Sequence, residues 1–134
     1  MRKIGVWMDM RRAYILTIEG QNEKAKKVDS NIETFKIHGG SGTRLKGGPQ
    51  DVVQDSKYLE REKHQFKEYS KEIIKEISDG DIIVIFGPAE AGMRFNKLLL
   101  KENKNIGKKV AEVLKADSMT DNQLSALIRD YYKN

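Results

Sequence analysis

Residues 37–50, Ile-His-Gly-Gly-Ser-Gly-Thr-Arg-Leu-Lys-Gly-Gly-Pro-Gln, set five glycines around the cations Arg44 and Lys46. Glycines let a backbone approach a bulky ligand closely, and two cations beside them suit phosphate. The stretch lacks a Gly-Lys-Ser/Thr sequence, so it is no nucleotide P-loop; a surface insertion without a ligand is the alternative. Four carboxylates invite a nuclease reading: Asp9, Asp81, Glu90 and Asp117 all flank apolar runs. Two-metal phosphoryl transfer needs such acids to converge, and Asp81 stands at the wrong end of its run. Turns, helix capping and solvation account for the four, and no metal site or cofactor is expected. His38 falls in the glycine stretch and His64 on a polar helical face, both poor places for a metal or a catalytic pair. The turn Gly87-Pro88-Ala89-Glu90 offers N–H groups to an anion, but Glu90 already brings a negative charge to that first helical turn.

These residues need elements to hold them. Residues 3–9 form a nearly unbroken apolar run, expected of a strand covered on both faces. Residues 13–18 are rich in strand formers, and Met10-Arg11-Arg12 between the two runs is short enough for a hairpin. A third, weaker strand is expected within residues 24–37, with Ile32, Thr34 and Phe35 as its best residues. Residues 38–56 show no period and hold five of the 11 glycines. Such a long loop is uncommon in a domain and usually functional or disordered; it is expected to be the most mobile segment. A helix is expected over 56–78 with Ser56 as its N-cap and Leu59, Phe66, Tyr69 (or Ser70), Ile73 and Ile77 as its stripe. Glu62 and Lys63 interrupt that stripe, so the first two turns should project beyond the core, beside the loop. A buried strand at 81–86, a helix at 89–101 with Ala91, Phe95, Leu98 and Leu99 inward, and a loop at 103–107 follow. A strand at 108–114 and a last helix opened by the capping box Thr120-Asp-Asn-Gln123 complete the chain. The order is an antiparallel meander followed by a parallel β-α-β unit with right-handed crossovers, an α/β mixed sheet with packed helices.

Composition narrows the function classes. The 134 residues fit one domain, 1–134. With no cysteine, disulfides, thiol catalysis and cysteine-based zinc sites are excluded. No apolar stretch approaches the roughly 18 residues that cross a bilayer, and the opening run is too short for a signal peptide, so a cytoplasmic protein without a membrane partner is expected. A net charge of +5 and a pI near 9.3 admit a polyanion such as RNA as partner.

The ordered series of segments resembles a known family over almost the whole chain. Gly5-Val6-Trp7-Met8-Asp9, the glycine stretch, the charged helix within 58–77, Ile82-Ile-Val-Ile-Phe-Gly-Pro88 and Ala116-Asp117-Ser-Met-Thr-Asp121 stand in the order seen in one domain. It is the middle domain of archaeal and eukaryotic class-one release factors and of the ribosome-rescue protein pelota, and above all of their stand-alone bacterial and archaeal relatives. The resemblance implies an RNase-H-like fold and a role directed at the ribosome or tRNA in termination, rescue or quality control. It also implies a Gly-Gly-Gln tip that promotes peptidyl-tRNA hydrolysis; the corresponding positions are Gly47, Gly48 and Gln50. Here Pro49 intervenes. The glutamine backbone N–H is thought to stabilise the oxyanion in the family, and proline has none. Hydrolysis is therefore left open, and the alternative is a non-catalytic RNA- or protein-binding module on the same fold. An RNA-binding surface is expected around Arg44, Lys46, Lys57, Arg61 and Lys63.

Overall fold

β1 (Arg2–Met8) is buried at five consecutive positions, Ile4 to Met8, so it needs cover on both faces. In the computed structural model it has that cover at the centre of a five-stranded sheet, ordered β3-β2-β1-β4-β5 among the described residues. The structure describes the backbone of residues 1–32, 48–88 and 90–133, and the side chains of these except 48–56.

β1 pairs antiparallel with β2 (Arg12–Glu19) from Arg2↔Glu19 to Met8↔Ala13. The Asp9 carboxylate closes the hairpin by accepting the N–H groups of Arg11 at 2.8 Å and Arg12 at 2.9 Å, as Asx turns do. β3 (Asn22–Asp29) follows after the two-residue turn Gly20-Gln21, where Gly20 has φ +63°. This corrects the expectation for the third strand. β3 starts earlier than expected and ends before Ile32, while residues 34 and 35 lie outside the described residues. Its exposed Lys24, Lys26 and Lys27 belong to an edge strand, which lysine protects from pairing with another chain.

The long helix α1 spans Gly48–Ile77 and crosses to β4 (Ile82–Gly87), which runs parallel to β1. Its start corrects a second expectation: residues 48–56 are helical, and Ser56 is no N-cap. Pro49 sits in the first turn, where no N–H is needed for intrahelical bonding and the fixed φ of proline suits the helix. Residues 38–47 of the expected loop lie outside the described residues. α2 (Ala91–Glu102) leads through a single helical turn, α3 (Lys104–Gly107), to β5 (Val110–Lys115), parallel to β4. α3 replaces the expected loop because the Gly107 and Lys108 N–H groups reach back to the Asn103 and Lys104 carbonyls at 3.0 and 2.9 Å. α4 (Asp121–Lys133) opens with the expected capping box: the Gln123 N–H donates to Thr120 Oγ1 at 3.2 Å and the Thr120 N–H to Gln123 Oε1 at 3.0 Å.

The helices divide between the two faces. On one, Phe66, Tyr69, Ile73 and Ile77 of α1 with Phe95 and Leu99 of α2 pack on Ile4, Val6, Met8, Ile83 and Ile85. On the other, Leu124 and Ile128 of α4 pack on Trp7, Tyr14, Leu16, Val84 and Phe86. β4 lies inside the sheet, and Trp7, Val84 and Phe86 are buried as expected. Leu98 is only half-buried, because Phe95 and Leu99 occupy the core-facing line of α2 and leave Leu98 on its flank. Leu59, expected in the apolar stripe of α1, is 58% exposed and lies outside the core, so the packed stripe starts at Phe66. The architecture is the α/β mixed sheet, an antiparallel meander joined to a parallel β-α-β unit with packed helices, that the element order predicts.

α4 presses on β1 at Gly5, where an added Cβ would lie 2.4 Å from Ile128 Cγ2 and 2.6 Å from Cγ1. Gly5→Ala is expected to destabilise the fold by about 1–3 kcal/mol, the usual cost of overpacking. In chemical denaturation the same change should cost less in an Ile128→Ala background; additive costs would show that the Ile128 contact is not the reason for glycine.

Candidate nucleic-acid interface

α1 is anchored to the sheet beside the end of β1, where the Tyr69 hydroxyl donates to the Asp9 carbonyl at 2.9 Å. Burial, above all, raises the Tyr69 phenol beyond its ordinary value, which keeps it a donor. Two turns further toward its N-terminus the helix meets α2 through a bidentate ion pair. Arg94 donates from Nη2 to Glu62 Oε1 at 2.7 Å and from Nη1 to Oε2 at 2.9 Å. Its guanidinium carbon sits over Phe66, 4.1 Å from the ring centre. This accounts for the polar residue that breaks the apolar stripe of α1: Glu62 is the partner of α2, with its side chain 16% exposed. The hydrogen bond from Arg94 holds the Glu62 carboxyl below the usual carboxylate range, and the same bond raises Arg94.

Beside this pair runs a groove of about 800 Å³ between α1 and α2. Lys63, His64 and Lys67 line it from α1, Arg94, Lys97 and Lys101 from α2, and Phe66 and Leu98 also line it. Glu60 and Glu102 also border it, and Glu102 pairs with Lys67 at 3.7 Å. Cations therefore outnumber acids along its walls.

The expected RNA-binding residues are only partly gathered here. Lys63 lines the groove. Lys57 and Arg61 are exposed and share another flank of α1, since Lys63 follows Arg61 by two residues, or about 200° around the helix. Arg44, Lys46 and Gly47 lie outside the described residues. Gly48, Pro49 and Gln50 are the first three residues of α1. The structure adds Lys67, Arg94, Lys97 and Lys101. Their signal was in the sequence, as lysines four apart at 63/67 and 97/101 with Arg94 three before Lys97, although nothing in it joins the two helices.

Two of the four carboxylates are used structurally, as expected. Asp9 holds the first hairpin, and an Asp81 oxygen accepts the Arg2 N–H at 2.6 Å. Glu90 differs: it is the N-cap residue of α2 and makes no side-chain capping bond. Asp9, Glu62 and Glu90 do border a cavity of about 480 Å³ by the ends of β1 and β4, together with Arg11 and Arg94. Asp9 and Glu62 already hold partners there, and among the described residues no three His, Asp or Glu side chains gather to hold a metal ion.

Glu62→Gln keeps the shape but halves the acceptor capacity and removes the charge. Its expected cost at neutral pH is about 1 kcal/mol, allowing for the partial exposure of Arg94. Because the folded-state carboxyl is depressed, the wild-type advantage is present above the ordinary glutamate value of about 4.3 and lost as pH falls through the lower folded value. Urea titrations of both proteins at neutral and strongly acidic pH check this; a difference that persists undiminished in acid would contradict it.

No family model matches the chain, and no curated protein matches it by sequence. Solved structures do. The Pelota protein of Thermoplasma acidophilum superimposes with a TM-score of 0.57 at 16% identity, over 96% of this chain and 32% of that one. Archaeoglobus fulgidus Pelota gives 0.56 at 11% identity over 96% of this chain and 31% of its own. The archaeal translation termination factor aRF1 gives 0.56 at 10% identity, over 98% and 40%. The chain thus spans well under half of each protein it resembles, and at these identities what it shares with that part of them is the fold.

Proposed function

We propose that the chain is a translation-factor-like domain that works on the ribosome or on tRNA through contacts to RNA, as one unit over residues 1–134. The observation that carries this is the match of nearly the whole chain to one part of two Pelota proteins and of a translation termination factor. The net charge of +5 agrees with a polyanionic partner. In this reading Arg44, Lys46, Lys57, Arg61 and Lys63 contact RNA around the segment that precedes α1, and the protein acts in the cytoplasm.

A binding role is favoured over hydrolysis by one residue. The Gly-Gly-Gln tip of the release factors corresponds to Gly47, Gly48 and Gln50, and Pro49 occupies the position whose N–H would meet the oxyanion. A missing donor of that kind costs about 10²–10³ in rate. A non-catalytic RNA- or protein-binding module on this fold is the second reading, and Pro49 is the feature that favours it.

Co-sedimentation with ribosomes tests the first claim: the protein should travel with them and be released as salt rises. Peptidyl-tRNA hydrolysis on stalled ribosomes tests the second. The wild-type chain is expected to show little or none, and deletion of Pro49, which restores Gly47-Gly48-Gln50 as a continuous triplet, should raise it. Wild-type activity that disappears in Gln50→Ala would make Gln50 catalytic and overturn the binding-only reading. Absence of both ribosome binding and hydrolysis would reduce the likeness to one of fold.

A further inference from the structure

The groove between α1 and α2 is built in a way that stability alone does not explain. Lys63 and Lys67 are four apart on α1, and Lys97 and Lys101 are four apart on α2. Like charges at this spacing destabilise a helix, and here two such pairs line one cleft. Lys67 has Glu102 as a partner, whereas Lys63, Lys97 and Lys101 form no ion pair among the described residues. The cleft also has an aromatic and apolar wall. Phe66 is stacked against the Arg94 guanidinium, which Glu62 holds in place along one edge, and the Arg94 side chain remains 37% exposed.

The geometry points to this groove as a binding site for single-stranded RNA, separate from the glycine stretch. Lysines on both walls would meet successive phosphates of the backbone. An unpaired base would enter between the helices and stack beside Leu98 and the plane of Arg94, since guanidinium planes serve as platforms for unstacked bases. A volume of about 800 Å³ is within the range of small-molecule and nucleotide pockets. A duplex, its bases already paired and stacked, would meet only the rim. The inference deepens the reading of the chain as RNA-directed and rests on it for the source of the RNA.

The test uses the full chain and fluorescence anisotropy over a salt series. The probes are a labelled single-stranded oligoribonucleotide, a blunt RNA duplex with the same number of nucleotides, and a strand of equal length whose bases are replaced by abasic sites. Lys63→Gln, Lys97→Gln and Lys101→Gln are combined in one variant. A control loses the same charge elsewhere, through Lys24→Gln, Lys115→Gln and Lys133→Gln, all exposed. The groove variant should bind the single strand at least tenfold more weakly and lower the log–log salt slope by about 2, at roughly 0.7 per lost phosphate contact. The control should stay within about threefold of wild type. Wild type should prefer the single strand to the duplex and to the abasic strand by several-fold.

Equal losses in the two variants, an unchanged slope, or equal affinity for the three probes would overturn the proposal. Ribosome co-sedimentation of the same proteins separates the two claims. Groove-dependent RNA binding without ribosome association would overturn the translation reading and leave the groove standing. Ribosome association together with an unaffected groove variant in the anisotropy series would do the reverse.

Discussion

The double burial of β1 is the constraint on which the rest of this structure depends. A strand with five buried residues in a row must have a neighbour on each edge and a layer on each face. β2 and β4 supply the edges, one antiparallel and one parallel. α1 and α2 cover one face and α4 the other. The parallel pairing with β4 requires a crossover, and α1 is that crossover. Its C-terminal half is fixed by Ile73 and Ile77 in the core, whereas Leu59 lies exposed outside it.

The ion pair of Glu62 and Arg94 then sets how α1 and α2 stand to one another. It lies where the apolar stripe of α1 gives out, between Phe66 in the core and Leu59 in solvent. The bidentate pair joins the two helices beside the cleft, with Phe66 beneath the guanidinium. The position that reads in the sequence as an interruption is the one that shapes the cationic groove.

Much of the fold was legible because it is written in short-range patterns. The unbroken apolar runs of β1 and β4 and the capping box at Thr120 each state their structure locally. β3 was not legible, since an edge strand carries lysines where a central one carries valine or isoleucine. The start of α1 was hidden because Gly47-Gly48-Pro49 reads as a loop signal, although proline is equally at home in a first helical turn. Of the groove, only Lys63 could be named beforehand. Apart from Lys67 its remaining cations come from α2, and the sequence does not show that α2 lies against Glu62 rather than elsewhere on the sheet.

The central claim is that this domain acts on the ribosome by binding, with the segment before α1 directed at RNA. Cryo-electron microscopy of stalled ribosomes incubated with the full chain tests it most directly. The account predicts density for the five-stranded domain on the ribosome with Gly48–Gln50 turned toward the peptidyl-transferase centre and the peptidyl-tRNA ester intact. Ribosomes without such density, or a bound domain whose α1 N-terminus faces away from RNA, would contradict it.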